Sequence, residues 1–404
     1  MTLIETKFAA LGTGNAPGQE IRQSGNGFSG LIKGNPIQGT PVDFSHGDID
    51  AHPPTPGAAE TWSAGYALGG AQAYTEYRGL ADIRTQVAAD LTEFTGAPID
   101  AENEMIVTPG TQGALFLALG ATVTNGTKVA VIEPDYFANR KLVTFFGGTV
   151  VPVPLIYGDE NRDAGPDLNA LEAAFHNGVE VLVFSTPNNP TGVVTAAETI
   201  NRIAALAAQY GVAVIVDQLY ARMLYSGETY THLLACANVP ENLITIMGPS
   251  KTESLSGFRL GVAFGSAALI DRMEKLQAIV SLRAAGYNQA ALQTWFHEPE
   301  GWLERRIRAH QAIRDDLLAV FNAAGMATVT PQAGSYLYPQ LPKLDIGLQD
   351  FVRLLRQQAA VTVTPGTEFS QRDHDRIRLN FSQDHRAAVE AAGRITALAA
   401  RYAA

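Results

Sequence analysis

Lys251 stands in the stretch GPSKTESLSGFRLGVAFGS, residues 248–266, just after a strand-like apolar run and wrapped in Gly, Ser and Thr. The chain has seven lysines, and none lies between Lys141 and Lys251. An amine kept off a solvated helix face is a candidate to form an imine with a carbonyl compound. Arg259 follows eight residues later and opens another apolar run. Other chemistry-bearing residues also stand where apolar runs end. Asp217 closes VAVIV, where an unpaired carboxylate is costly, so it calls for a cationic partner. Tyr220, three residues on, either shares that site or is a core tyrosine. Gly110, Thr111 and Gln112 follow EMIVTP and open a helix, whose first N–H groups hold an anion or simply begin a capped helix. Tyr136 follows KVAVIEPD, where its ring either covers a flat ligand or is half-buried with a wet hydroxyl. Asn189 lies in STPNNPTG, a rigid turn in which it is a fixed donor or plain turn chemistry.

The elements that position these residues alternate. KVAVIEP (128–134), VEVLVFSTP (179–187), VAVIVDQ (212–218), NLITIMG (242–248) and RLGVAFG (259–265) are continuous rather than alternating apolar runs. Strands buried on both faces read this way. Helical patterns such as AAETINRIAALAAQY (196–210) separate them, which implies an α/β fold with a mostly parallel sheet covered by helices. Ligands of such sheets bind beyond the carboxyl ends of the strands. From residue 298 a long charged amphipathic helix leads into short strands and a last helix, which reads as a smaller α+β domain. The expected division is a Gly-rich, loop-like arm at 1–45, a large domain at 46–297 and a small domain at 298–404.

Bulk properties remove other classes. The formal net charge of −11 argues against a sequence-independent nucleic-acid binder. No apolar run reaches the roughly 18 residues of a membrane span. The N-terminus lacks the basic start and apolar core of a signal peptide, and a cytoplasmic location is expected. Cys236 is the only cysteine, so an internal disulfide is impossible and no metal site is expected.

An amine, an acid, an amide, an aromatic ring and an anion site at neighbouring strand ends together suit one ligand, pyridoxal 5′-phosphate. The chain resembles the fold-type I pyridoxal-phosphate enzymes, specifically the class I/II, aspartate-aminotransferase-like aminotransferases. The likeness runs from about residue 40 to the end. It rests on YTEYRGLADIR (74–84), TPGTQGAL (108–115), EPDY (133–136), NNPTG (188–192), DQLY (217–220), SKTESLSGFRLG (250–261), PGTEF (365–369) and RIRLNFS (376–382). The resemblance implies that Lys251 forms the cofactor imine and later moves the substrate proton. It implies that Asp217 pairs with the ring nitrogen, that Asn189 and Tyr220 bond the phenolic oxygen, and that Tyr136 stacks on the ring. Gly110, Thr111, Gln112, Ser250 and Arg259 would hold the phosphate. Arg378 would grip the substrate α-carboxylate; the locally charged RDHDRIR by itself reads as surface, but the RIRLNFS motif favours the functional role. Gly47 matches a loop glycine near the substrate, and Asn189 also faces it. Tyr74 matches a tyrosine that reaches the phosphate of a neighbouring subunit, so a homodimer is implied.

Three stretches depart from the family pattern. Gly248 stands where many members have a phosphate-binding serine. Gln218 replaces the common Glu. The stretch FSHGDIDAHPPTP (44–56) carries His46, Asp48, Asp50 and His52 and either shapes the side-chain pocket or is a solvated loop. Arg283, in SLRAAGYNQ, is a candidate for a second substrate carboxylate. The expected activity is transfer of an amino group between an α-amino acid and a 2-oxo acid by a ping-pong route. A lyase, decarboxylase or oxidase on the same scaffold is the alternative, and a non-catalytic ligand sensor is a third reading.

Overall fold

The computed structural model describes residues 2–19, 30–158 and 164–404. In chain order its strands begin with β1 (Val42–Asp43), β2 (Met105–Pro109), β3 (Lys128–Glu133), β4 (Thr149–Ile156) and β5 (Gly165–Pro166). They continue with β6 (Val181–Ser185), β7 (Ala213–Asp217), β8 (Leu243–Met247) and β9 (Leu260–Gly265). β2 to β9 form one eight-stranded sheet in the order β2-β9-β8-β7-β6-β3-β4-β5. Successive side chains of a strand point to opposite faces. Here both faces are dry, which is why the runs are continuous. Val129, Val131, Val183, Ile215 and Ile244 pack with the helices Gly110–Thr122 and Ala267–Val280. Ala130, Ile132, Leu182, Val214 and Val216 pack with Leu168–His176 and Ala197–Tyr210 on the other face.

β8, β7, β6, β3 and β4 run parallel, as expected. β9 does not: it is antiparallel to both β8 and β2. The reason is local. Residues 248–259 contain no crossover helix, and a parallel return would need one. The inversion has a functional consequence. Arg259, at the entry to β9, lies at the same sheet edge as the exits of β2, β3, β6, β7 and β8.

The smaller unit carries a three-stranded antiparallel sheet, with β10 (Tyr336–Leu337) and β13 (Ile377–Asn380) adjacent and β12 (Thr364–Pro365) beyond. β11 (Val361–Thr362) pairs in parallel with β1. The helices Trp302–Ala323, Leu348–Ala359 and His385–Arg401 complete its core. The Gly-rich start differs from the loop-like expectation. Leu3–Leu11 is a helix with a Thr2–Glu5 capping box. Val42 and Phe44 lie in the small-unit core, and Tyr402 OH donates to Leu31 O. These apolar residues are too sparse for a sequence period but are recruited by an existing core. Residues 20–29 of the expected arm lie outside the described residues. Among the described residues no helix is long and apolar enough to cross a membrane.

His310 pins the 44–56 segment from the helix Trp302–Ala323. Its Nδ1 faces Arg306 O at 2.8 Å and its Nε2 faces Ser382 Oγ at 2.9 Å. A carbonyl only accepts, so Nδ1 carries the proton and Nε2 accepts from the serine. The His52 ring packs against it, tilted by 34° with the centroids 4.2 Å apart. Burial, and then the neighbouring His52, push His310 from 6.5 down to about 3. The unfolded chain therefore binds a proton that the folded one refuses. Stability from this group is complete above about pH 6.5 and declines as the pH falls from there towards about 3. His310→Gln should reduce the loss of melting temperature between about pH 7 and about pH 5. Equal losses in variant and parent would remove His310 from this role.

Candidate active site

The sheet edge described above encloses a cavity of about 140 Å³. Thr111, Gln112, Tyr136, Asn189, Asp217, Tyr220, Ser250, Lys251 and Arg259 all line it. Nine residues expected from separate strand ends thus meet in one place. The anion end is built by close backbone approach. Gly110 has φ +78°, and a Cβ there would lie 2.4 Å from Arg259 Nη2. A Cβ on Gly261 would lie 2.4 Å from the Gly110 carbonyl carbon. Only glycine lets β9 press this tightly on the turn out of β2. The helix Gly110–Thr122 starts without a side-chain cap, so its first N–H groups remain for another acceptor. Gln112 Oε1 accepts the Tyr136 hydroxyl at 2.9 Å, which fixes both side chains and turns the Gln112 amide N–H groups elsewhere. Ser250 Oγ donates to Leu260 O at 3.3 Å and must rotate to meet a ligand.

At the opposite end stands Asp217. Burial pushes its carboxyl up to about 6, against the Leu219 N–H at 2.9 Å and the charge of Lys251. Beneath it, Asp135 accepts Ser185 N at 2.8 Å, Tyr136 N at 2.6 Å and the Ser185 hydroxyl. Burial pushes Asp135 up to about 8 despite these donors. Ser185 Oγ in turn accepts Asn189 N at 3.1 Å, so the ends of β3 and β6 are tied together.

Arg378 is 2% exposed. Its Nη1 donates to Asn189 Oδ1 at 3.1 Å and its Nη2 to Ser45 O at 2.8 Å. Its Nε has no partner. The guanidinium lies between two rings, 4.5 Å from the centroid of Tyr336 and 4.8 Å from that of Phe369. Arg378 thus lies inside the protein despite its charged flank, because β13 is buried along its whole length. Gly47 borders an adjoining cavity with His46, Asp48 and Lys251. The Asp43 hydrogen bond raises the His46 imidazole to about 9 against its partial burial. Gly110 and Arg378 lie just behind the cavity walls, against Arg259 and Asn189, whereas Tyr74 stands apart from the site in this chain. It is 83% exposed, with the Arg283 guanidinium 5.6 Å from its ring.

Three features were not singled out in the sequence. Tyr336 lines the main cavity and accepts the Tyr220 hydroxyl at 2.7 Å. Asp135 and Ser185 lay inside quoted stretches, EPDY and STP, but only their register reveals the pair. Arg222 lies between Glu253 and Glu298. Its Nη1 bonds Glu253, and its two terminal nitrogens reach Glu298 at 2.7 and 3.0 Å. Glu253 is two residues beyond Lys251 and Arg222 two beyond Tyr220, so this cluster braces the loops that carry Lys251 and Tyr220.

Residues 42–395 match the family described as aminotransferase class I and II. The chain is similar to a solved aspartate aminotransferase from Rhodobacter sphaeroides, with 62% identity and a TM-score of 0.95, covering 99% of this chain and 100% of that one. It is 28% identical over 389 residues to the aspartate/prephenate aminotransferase of Thermus thermophilus, 94% of each chain. It is 24% identical over 324 residues to aromatic-amino-acid aminotransferase 2 of Thermococcus litoralis, 80% of this chain and 82% of that one.

Removal of Arg222 would leave two buried carboxyls facing each other without a cation. Arg222→Met should destabilise the fold by about 3–5 kcal/mol, read as a lower urea midpoint at unchanged slope. A change under about 1 kcal/mol would show that water or movement compensates, and that the cluster does not brace the loops.

Proposed function

The chain belongs to the class I and II aminotransferases, and from there we propose that its cavity holds pyridoxal 5′-phosphate on Lys251 and accepts a dicarboxylic α-amino acid and a 2-oxo acid in turn. The family depends on this cofactor, and the transfer is between amino acids and 2-oxo acids. The cavity's donors suit it at both ends. An uncapped helix start with Thr111, Ser250 and Arg259 fits a phosphate dianion, whereas Asp217, desolvated beside the Leu219 N–H, fits a protonated ring nitrogen. When bound, the cofactor supplies an electron sink for the pair left as the Cα–H bond breaks.

The chain's own residues do the rest. Asp217 would keep the ring nitrogen protonated, Tyr136 would cover the ring, and Asn189 and Tyr220 would bond its phenolic oxygen. Lys251 would anchor the cofactor and, with its amine free, would carry the proton from the substrate Cα. Arg378 receives the α-carboxylate on its unpartnered Nε and its fork, which suits a bidentate grip. The observation that carries this reading is that Lys251 and Asp217 line one cavity whose walls, Asn189 and Tyr336, both touch the buried Arg378.

The dicarboxylic preference is supported by the 62% identical aspartate aminotransferase. Arg283 is the residue proposed for the distal carboxylate. It shares a face with Tyr74 and Tyr77, 5.6 and 5.5 Å from their rings. Large apolar side chains stand out nearby in sequence, with Leu282 53% and Ile279 82% exposed. Such a surface is suited to a second copy of the chain, through which Tyr74 and Arg283 would enter the other copy's site.

The cofactor reading is tested by borohydride reduction of the yellow protein and peptide mapping. The adduct should sit on Lys251, and an adduct elsewhere, or none, would sink it. The substrate reading is tested by a panel of amino donors scored by the visible absorption of bound cofactor. Aspartate and glutamate should react well ahead of neutral donors, and Arg283→Ala should erase that lead. A panel without any dicarboxylic lead in the parent would end the substrate proposal and leave the cofactor reading intact.

The assembly is tested by complementation. Lys251→Ala and Tyr74→Arg should each silence their homodimers. In a mixed dimer one site inherits both defects and the other neither, so tagged heterodimers should regain activity. Tyr74→Phe would be too mild, since one hydrogen bond is worth about 0.5–1.5 kcal/mol. Heterodimers that form and stay inactive would place Tyr74 outside the partner's site.

A further inference from the structure

The hydroxyls of Tyr220 and Tyr336 meet at 2.7 Å, and their rings are edge to face with centroids 5.3 Å apart. Each hydroxyl owns a single proton. When Tyr220 donates to Tyr336, it turns only lone pairs towards the cavity. When Tyr336 donates instead, the Tyr220 proton is free to point inward. The direction of this one bond therefore decides whether Tyr220 is a donor or an acceptor for a ligand.

The groups around the pair set that direction. Tyr336 is faced by Lys251, Arg378, Asp217 and Tyr220, and Tyr136 is close enough to interact with it. Burial opposes its ionisation, but Lys251, Arg378 and the Tyr220 hydrogen bond outweigh burial and hold its phenol below the ordinary value. Burial and the neighbouring Tyr336 push Tyr220 well above it. With Arg378 uncompensated, Tyr336 is thus the proton-poor member and Tyr220 gives it the bond. A carboxylate on Arg378 would cancel the cation that packs against the Tyr336 ring.

We propose that Tyr336 is a positioning residue that couples carboxylate binding at Arg378 to the hydrogen-bond direction of Tyr220. An empty Arg378 keeps the Tyr220 proton on Tyr336. An occupied one lets Tyr336 keep and donate its own proton, so that Tyr220 offers its proton to the cavity. The coupling rests on the cofactor reading above, but the tyrosine pair can also be tested without cofactor.

Tyr336→Phe keeps the ring against Arg378 and removes only the hydroxyl. Three readouts apply. In cofactor-free protein, one phenol should ionise below the others in an ultraviolet titration, and that early phase should vanish in Tyr336→Phe. In cofactor-loaded parent, succinate, a dicarboxylate with no amino group, should move the pH midpoint of the visible absorption. In Tyr336→Phe that movement should fall to less than half. The turnover should drop by about three- to tenfold while KM for the amino donor stays within about twofold, as expected for loss of one hydrogen bond acting through Tyr220. Tyr220→Phe combined with Tyr336→Phe should be no worse than Tyr220→Phe alone. Tyr336→Leu, which also strips the ring from Arg378, should raise KM in addition. An unchanged succinate response in Tyr336→Phe, no early phenol phase in the parent, or a rise in KM at constant turnover would each overturn the proposal. Failure to trap cofactor on Lys251 would overturn the cofactor reading instead, with the ultraviolet titration still deciding the pair.

Discussion

Two charges, the half-buried Asp217 and the fully buried Arg378, lie in the site without an ion-pair partner among the described residues. Desolvation of a carboxylate or a guanidinium costs several kcal/mol unless an opposite charge or good hydrogen bonds offset it. The fold offsets these two only in part, with one backbone N–H at Asp217 and three oxygens, the Thr364 hydroxyl among them, plus two ring faces at Arg378. What remains uncompensated is binding capacity. A ligand with a cation at one end and a carboxylate reaching the other completes both environments. That is the charge pattern of a protonated ring nitrogen joined to an amino acid.

Such a site persists only if the surrounding structure holds it. The doubly covered sheet gives rigid strand ends, and its packing residues alternate between two dry faces. The inverted strand β9 adds a contribution that a purely parallel sheet lacks, because it delivers Arg259 to the anion end from the opposite chain direction. Gly110 and Gly261 permit the backbone contact that makes this close approach possible. The tie from Asp135 through Ser185 to Asn189, and the Arg222 cluster, lock the loops that carry Tyr136, Asn189, Tyr220 and Lys251. Lys141 adds a latch between units: it donates to Glu368 at 2.6 Å and to Gly12 O at 2.8 Å, joining the small unit and the N-terminal segment to the large one.

The strands of the large sheet were legible because a strand dry on both faces must be apolar at every position, which leaves a run that few other elements imitate. The residues after those runs were legible for a related reason. Polar groups at the end of a dry strand are costly unless used, so Asp217, Asn189 and Lys251 stood out. Tyr336 did not stand out, because β10 spans only two residues and carries no period. Arg222, Glu253 and Glu298 were equally hidden, since they are separated in sequence by 31 and 76 positions from Arg222 and meet only across folded loops.

The sequence by itself determined the α/β class, the strand ends that carry chemistry and the residue types that a charged, flat, phosphorylated ligand requires. Local composition suffices for these, because burial and turn geometry restrict which residues a short segment can use. Only the tertiary structure decided that Val42 and Phe44 join the small-unit core, that Arg378 faces inward from a charged segment, and that the hydroxyls of Tyr220 and Tyr336 meet. Each of these depends on register between segments far apart in the chain. Register is set by the packing of whole faces against one another, an energy that no single segment contains.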